Sequence, residues 1–147
     1  MFKHVLLPTD GSPVARKAIH AGIALAQNLG ARVTAYYALN AFQPYLYTEG
    51  YVMSAALLRD LDTQAREQGA KYLAEVEKAA KAVGVACQTL MTKPETPDQG
   101  IIGAAKKQKC DVIFMASHGR GGLATLLLGS VTQKVLAHSK VPVLVYR

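Results

Sequence analysis

The sequence predicts an α/β fold: a three-layer sandwich around a five-stranded, mainly parallel sheet in the order 3-2-1-4-5. Three observations lead there. Short apolar runs alternate with longer stretches of helical period, giving five strands and four helices in turn. The run Val112, Ile113, Phe114, Met115, Ala116 is apolar without a break, as a strand buried on both faces requires. Turn residues cluster after the first and fourth strands, and in that strand order these two loops flank the point where the winding reverses. With 147 residues, 50% hydrophobic and 18% charged, the chain suits one globular domain, 1–147, with a sizeable core.

Strand one is the run His4, Val5, Leu6, Leu7, followed by Pro8, Thr9, Asp10 and Gly11. Ser12 is a good N-cap and Pro13 suits the first helical position, so helix one begins there. It continues to Leu29 with Ala15, Ile19, Ile23 and Ala26 on one face, and Gly30 stops it. Strand two covers 32–39. The loop 40–52 carries Phe42, Tyr45, Tyr47 and Tyr51, either as a lid or partner contact or as packing for the sheet edge. Helix two spans 53–83, with Leu58, Leu61, Ala65, Tyr72, Val76, Ala79 and Val83 at three- and four-residue steps. Gly69 is expected to bend or break it, and Gly84 to end it. Strand three, 85–92, carries Gln88, Thr89 and Thr92, polar enough for an edge. A turn at 93–98 leads into helix three, which ends near Gln108. The last strand, Val141 through Tyr146, has Pro142 near its start, which also favours an edge.

Most of the chemistry lies in 110–132. After the fourth strand the chain turns polar and glycine-rich at Ser117, His118, Gly119, Arg120, Gly121 and Gly122. Gly129 follows an apolar segment, and Ser130-Val131-Thr132-Gln133 reads as a capping box opening a helix to His138. Unpaired N–H groups and the positive dipole end at such a start make an anion site, and the flanking glycines let a ligand approach the backbone. A phosphate cradle is the first expectation. Asp10 either caps helix one alongside Ser12 or accepts hydrogen bonds from a ligand. His118, inside the glycine turn, is the histidine placed to line a pocket; His4, His20 and His138 are expected to be structural or exposed.

Other classes fit poorly. No apolar run approaches the length of a membrane span, and the N-terminus lacks a signal-peptide pattern. Cys87 and Cys110 show no metal or CxxC spacing and read as buried small hydrophobes, so a cytoplasmic setting is expected. The histidines share no metal spacing. Gly119 to Ala124 formally matches a dinucleotide fingerprint, but it follows the fourth strand and no acid comes after Asp111. There is no P-loop and no GxSxG. Ser117 and His118, as neighbours on an extended segment, are expected to point apart. From Gln99 onward seven basic residues face one acid, which fits an anionic ligand or solvated helix faces; no nucleic-acid recognition motif accompanies them.

Four motifs, in order, resemble the universal stress protein family: Pro8-Thr9-Asp10-Gly11-Ser12, Ala116-Ser117-His118-Gly119-Arg120-Gly121-Gly122, Leu127-Leu128-Gly129-Ser130-Val131 and Pro142-Val143-Leu144-Val145. The resemblance covers the whole chain. It implies an adenine nucleotide alpha hydrolase-like, Rossmann-like fold and a cytoplasmic homodimer paired through 141–146. Its nucleotide-binding branch carries GxxG, nine residues, then G[S/T]. Gly119, Gly129 and Ser130 keep that spacing, while Ala116 replaces the first glycine. If position 116 needs positive φ, alanine costs about 1–2 kcal/mol; with ordinary φ its methyl only narrows the floor. Carried over, Asp10 and Ala38, beside Pro8 and Thr9, would meet adenine or ribose, and Met115 and Ala116 would lie beneath the nucleotide. Gly119, Arg120, Gly129, Ser130 and Val131 would hold the phosphates, with His118 nearby. The implied function is a dimeric ATP-binding (or ADP- or AMP-binding) stress regulator or sensor with Mg²⁺ on the phosphates. Weak ATPase or autophosphorylation activity is the most catalysis it implies. The alternatives are a stress protein acting through protein contacts alone, or a slow ATPase.

Overall fold

Strand and helix alternate along the chain in the computed structural model, which describes residues 1–39, 54–119 and 128–147. The elements are β1 (His4–Pro8), α1 (Pro13–Leu29), β2 (Arg32–Ala38), α2 (Ala55–Ala82), β3 (Cys87–Thr92), α3 (Pro97–Lys107), β4 (Val112–Ala116), α4 (Ser130–His138) and β5 (Val143–Tyr146). The sheet order is β3-β2-β1-β4-β5, with every pairing parallel. The polar third strand and the proline-led last strand are therefore its two edges. The aromatic loop lies outside the described residues, as does Arg120.

Side-chain alternation along the strands divides the core into two halves. Val5 and Leu7 of β1, Val33 and Ala35 of β2, and Val112 and Phe114 of β4 pack with the buried residues of α1 and α2. Leu6, Tyr36, Ile113 and Met115 face the other way, against Ile101, Ala104 and Ala105 of α3 and Val135 of α4. Helices thus cover both faces. That is why the central strands read as unbroken apolar runs.

Local signals set the helix ends. Ser12 Oγ accepts the Ala15 N–H at 3.1 Å, and Gly30 closes α1 at φ 61°. The predicted face of α1, Ala15, Ile19, Ile23 and Ala26, is buried. Helix α2 departs from expectation. Its buried stripe is Gly69, Leu73, Val76 and Ala80, whereas Leu58 and Val83 are exposed. Gly69 neither breaks nor ends the helix. A Cβ there would lie 2.5 Å from Tyr37 Cδ1 and 2.8 Å from Met91 Cε, so glycine makes room for these sheet side chains against α2. Helix α3 ends with Lys109 in the left-handed region at φ 55°, while Cys110 N–H donates to Ala105 O at 2.9 Å.

The pairing registers explain where the sheet opens. Strands β1 and β2 stay paired from His4↔Arg32 to Pro8↔Tyr36, but β1 and β4 pair only at Val5↔Val112 and Leu6↔Ile113. Thr9 N–H points toward β2 and donates to Tyr36 O at 2.9 Å, so position 8 faces β4. Proline there has no N–H to give. Beyond that point β1 and β4 diverge.

Candidate functional site

A cleft of about 390 Å³ occupies the opening between the carboxyl ends of β1 and β4. That is within the usual range for small-molecule sites. Pro8, Thr9 and Asp10 border it from the end of β1, and Tyr36, Tyr37 and Ala38 from β2. Met115, Ala116, His118 and Gly119 come from β4 and the turn after it; Gly129, Ser130, Val131 and Thr132 come from the start of α4. Eleven of the twelve sequence-predicted site residues therefore border one cleft, and Arg120 lies outside the described residues.

The β1 turn is built by short side chains. Thr9 Oγ1 accepts the Gly11 N–H at 3.1 Å, and Asp10 Oδ1 accepts the Ser12 N–H at 2.9 Å. Ser12 in turn caps α1. Asp10 thus holds the turn rather than capping the helix directly, and its other carboxylate oxygen packs against Gly119, where a Cβ would collide with it. Glycine at 119 lets the β4 turn close onto the β1 turn.

On the β2 side, alternation decides which backbone groups face the cleft. Val33 and Leu39 donate toward the β3 side, to Ala86 O and Thr92 O, whereas Arg32 N–H and Tyr36 O bond toward β1. Ala38 shares the Tyr36 direction but lies beyond the end of β1, with no backbone partner among the described residues. Its N–H and C=O therefore present a donor and an acceptor at the rim.

The start of α4 corrects the capping-box expectation. Gly129 is the N-cap and Ser130 the first helical residue, with no side-chain capping bond. Gln133 Nε2 instead donates to Leu128 O at 2.6 Å. Gln133 N–H makes the first intrahelical bond, to Gly129 O at 3.0 Å. The N–H groups of Ser130, Val131 and Thr132 precede it and lack intrahelical acceptors. Gly129 N–H donates to Ser117 O at 2.8 Å, and a Cβ at 129 would lie 3.0 Å from His118 Cα. Its φ is an ordinary −61°, so close approach, not backbone strain, calls for glycine. Thr132 Oγ1 donates to Ala116 O at 3.0 Å and locks α4 to β4.

Ala116 has no strain to bear. Lys109 is the one non-glycine residue with positive φ among the described residues, so position 116 is ordinary strand. The methyl only narrows the floor. The expectation that Ser117 and His118 point apart fails: Ser117 Oγ and His118 Nδ1 are 3.0 Å apart. Both residues lie past the end of β4, where the extended alternation no longer holds.

Sequence reading missed Ala15, Tyr36, Tyr37, Pro97, Ile101 and Thr132 as lining residues. Tyr36 is buried with its hydroxyl 2.7 Å from Thr92 Oγ1, and burial raises its pKa against the opposing effect of that bond. Pro97 and Ile101 reach the cleft from α3, whose packing leaves no signature near the motifs. Of the two cysteines expected to be buried, Cys110 is and Cys87 is only half-buried; burial pushes the Cys110 thiol up to about 11 and also raises Cys87. Among the described residues no group of three His, Cys, Asp or Glu is placed to hold a metal ion.

A model of the universal stress protein family matches residues 1–147. The chain belongs to the universal stress protein family. Among its relatives, a universal stress protein of Methanocaldococcus jannaschii is 35% identical, over 100% of this chain and 83% of the relative. One of Thermus aquaticus is 35% identical over 100% of both. The solved structure of the hypothetical protein MJ0577 has a TM-score of 0.82 at 27% identity, covering 99% of this chain and 95% of that one. A universal stress protein solved in complex with cAMP superposes at TM-score 0.67 and 23% identity, over 99% and 97% of the two chains. At that identity the likeness concerns the fold.

Proposed function

We propose that the cleft binds an adenine nucleotide, ATP or its di- or monophosphate, and that the protein is a dimeric stress-response regulator or sensor. The observation that carries the reading is the fit of Gly129 against His118 Cα, which brings the α4 N–H groups that lack intrahelical acceptors to the opening of the sheet. A phosphate chain suits that end by dipole and hydrogen bonding. The base suits the other end, where the Ala38 N–H and C=O offer a donor–acceptor pair beside apolar Ile101 and Met115. The ordinary φ of Ala116 removes the main objection from the sequence. The family relative solved with cAMP supports the same ligand class. When bound, Mg²⁺ would ride on the phosphates rather than on protein ligands. Arg120 and Asp10 complete the proposed contacts. Among the described residues no helix is long and apolar enough to cross a membrane.

The test is titration of the stripped protein with Mg-ATP by calorimetry, beside Gly129→Leu. The native chain should bind, and the substitution should weaken binding at least about tenfold, because a side chain there forces the α4 amides away from the phosphates. Sedimentation should leave the oligomeric state unchanged. Equal affinity for both proteins would remove the cradle assigned to α4.

A further inference from the structure

We propose that His118 is a phosphoryl acceptor, its Nε2 taking the terminal phosphoryl group of a nucleoside triphosphate held in the cleft while Ser117 positions the ring. The nucleotide reading above supplies the donor, so the inference rests on it. The pairing of the two side chains is the reverse of a hydrolase dyad. In a serine hydrolase the hydroxyl faces substrate and the histidine stands behind it as base. Here Ser117 is 4% exposed and does not border the cleft, whereas His118 is half-buried and does. The reacting group is therefore the imidazole, and the hydroxyl orients it.

Ser117 Oγ lies 3.0 Å from His118 Nδ1, which assigns that nitrogen to the protein. Nε2 has no partner among the described residues and is the nitrogen left for chemistry. In the tautomer that donates Nδ1–H to Ser117 Oγ, Nε2 carries a lone pair and no proton. Gly129 packs against the Cα of His118, so this residue adjoins the amino end of α4, where the proposed nucleotide would carry its phosphates. In the transfer, the Nε2 lone pair forms the N–P bond while the bond from the terminal phosphorus to the bridging oxygen breaks. The nucleoside diphosphate leaves with that electron pair. Nε2 has no proton to lose, so no general base is required. The positive charge on the ring is offset by the attached phosphoryl oxygens, and the proton stays on Nδ1, donated to Ser117 Oγ. This differs from hydrolysis, for which a water would need orienting.

The experiment treats the full chain separately with Mg-ATP and with phosphoramidate, a small donor that needs no nucleotide site. Phosphohistidine is mapped by mass spectrometry under neutral conditions, and its isomer is assigned by phosphorus NMR. His20 and His138, both exposed, serve as references within the same molecule. Positioning should make His118 label with ATP at least about tenfold faster than either, at Nε2. His118→Gln should abolish that label. Ser117→Ala should slow it and scramble the isomer between the two ring nitrogens, and Ser117→Thr should restore both. Calorimetric binding of ATP with no preferential label on His118 from either donor would overturn the acceptor and leave the nucleotide reading intact. Absence of ATP binding with selective labelling by phosphoramidate would uphold the acceptor and overturn the nucleotide as its donor.

Discussion

At the scale of single residues, identity and position often disagreed about role. His4 was expected to be structural, and it is: buried, with Nε2 2.7 Å from Thr34 Oγ1. Burial first, and then the Arg32 guanidinium, lower its pKa below 6.5, with the Asp111 carboxylate and the backbone near Lys109 and Gln108 opposing. The folded state therefore resists a proton that the unfolded chain accepts. Stability from this group is complete above pH 6.5 and is lost as pH falls toward and through the lowered value. Stability should fall as pH drops below 6.5, by at most about 1.4 kcal/mol per pH unit from this group, and the melting temperature should fall with it. His4→Gln should flatten the profile in that window relative to the native chain; an unchanged profile would show that other groups govern it. Ser130 shows the opposite case. Its residue type suits a cap, but the helix opens one residue earlier, and Gly129 holds that position in close contact with His118.

At the scale of elements, periodicity located every strand and helix but misjudged one face. Helix α2 was expected to break or bend at Gly69, since glycine is a poor helix former, but it runs through that position without a break. Instead Gly69 is buried against Tyr37 and Met91, and Tyr37 and Tyr72 pack at a ring separation of 5.9 Å. Gly69→Ala should therefore destabilise the fold by about 1–3 kcal/mol despite the better helix propensity of alanine. Chemical denaturation would read this, and a stabilised variant would show that Tyr37 and Met91 yield freely. Pro8 acts on the same scale. It was legible as the end of a strand, but its consequence, the early parting of β1 from β4, depends on which neighbour position 8 faces.

At the scale of the whole molecule, β5 is the edge that the proposed homodimer would use. It is short and apolar, Leu144 is 40% exposed, and Leu136 on the adjacent α4 is 42% exposed. An open edge of that kind invites pairing with a second copy, which agrees with the proposed homodimer through Val141 to Tyr146. Leu144→Glu should shift the protein toward monomer in sedimentation velocity at micromolar concentration, with the far-ultraviolet dichroism unchanged. A dimer that persists in this variant would place the interface elsewhere. The basic excess after Gln99 belongs to this scale too: Lys106 and Lys107 lie in the last turn of α3, where they complement the helix dipole.

The sequence by itself determined the element order, the layered α/β architecture, the two edges and the end of the sheet where the cleft opens. These follow from local causes: the periods of strand and helix, the φ of Gly30, the cap at Ser12, the missing N–H of Pro8. Tertiary structure alone decided that Ala116 is unstrained, that Gly129 rather than Ser130 caps α4, that Ser117 stands behind His118, and that α3 lends Pro97 and Ile101 to the cleft. Each of these depends on how closely atoms far apart along the chain approach in the folded molecule, or on backbone angles that residue type does not fix. A pattern of residue types records which face is apolar; it carries no measure of that approach.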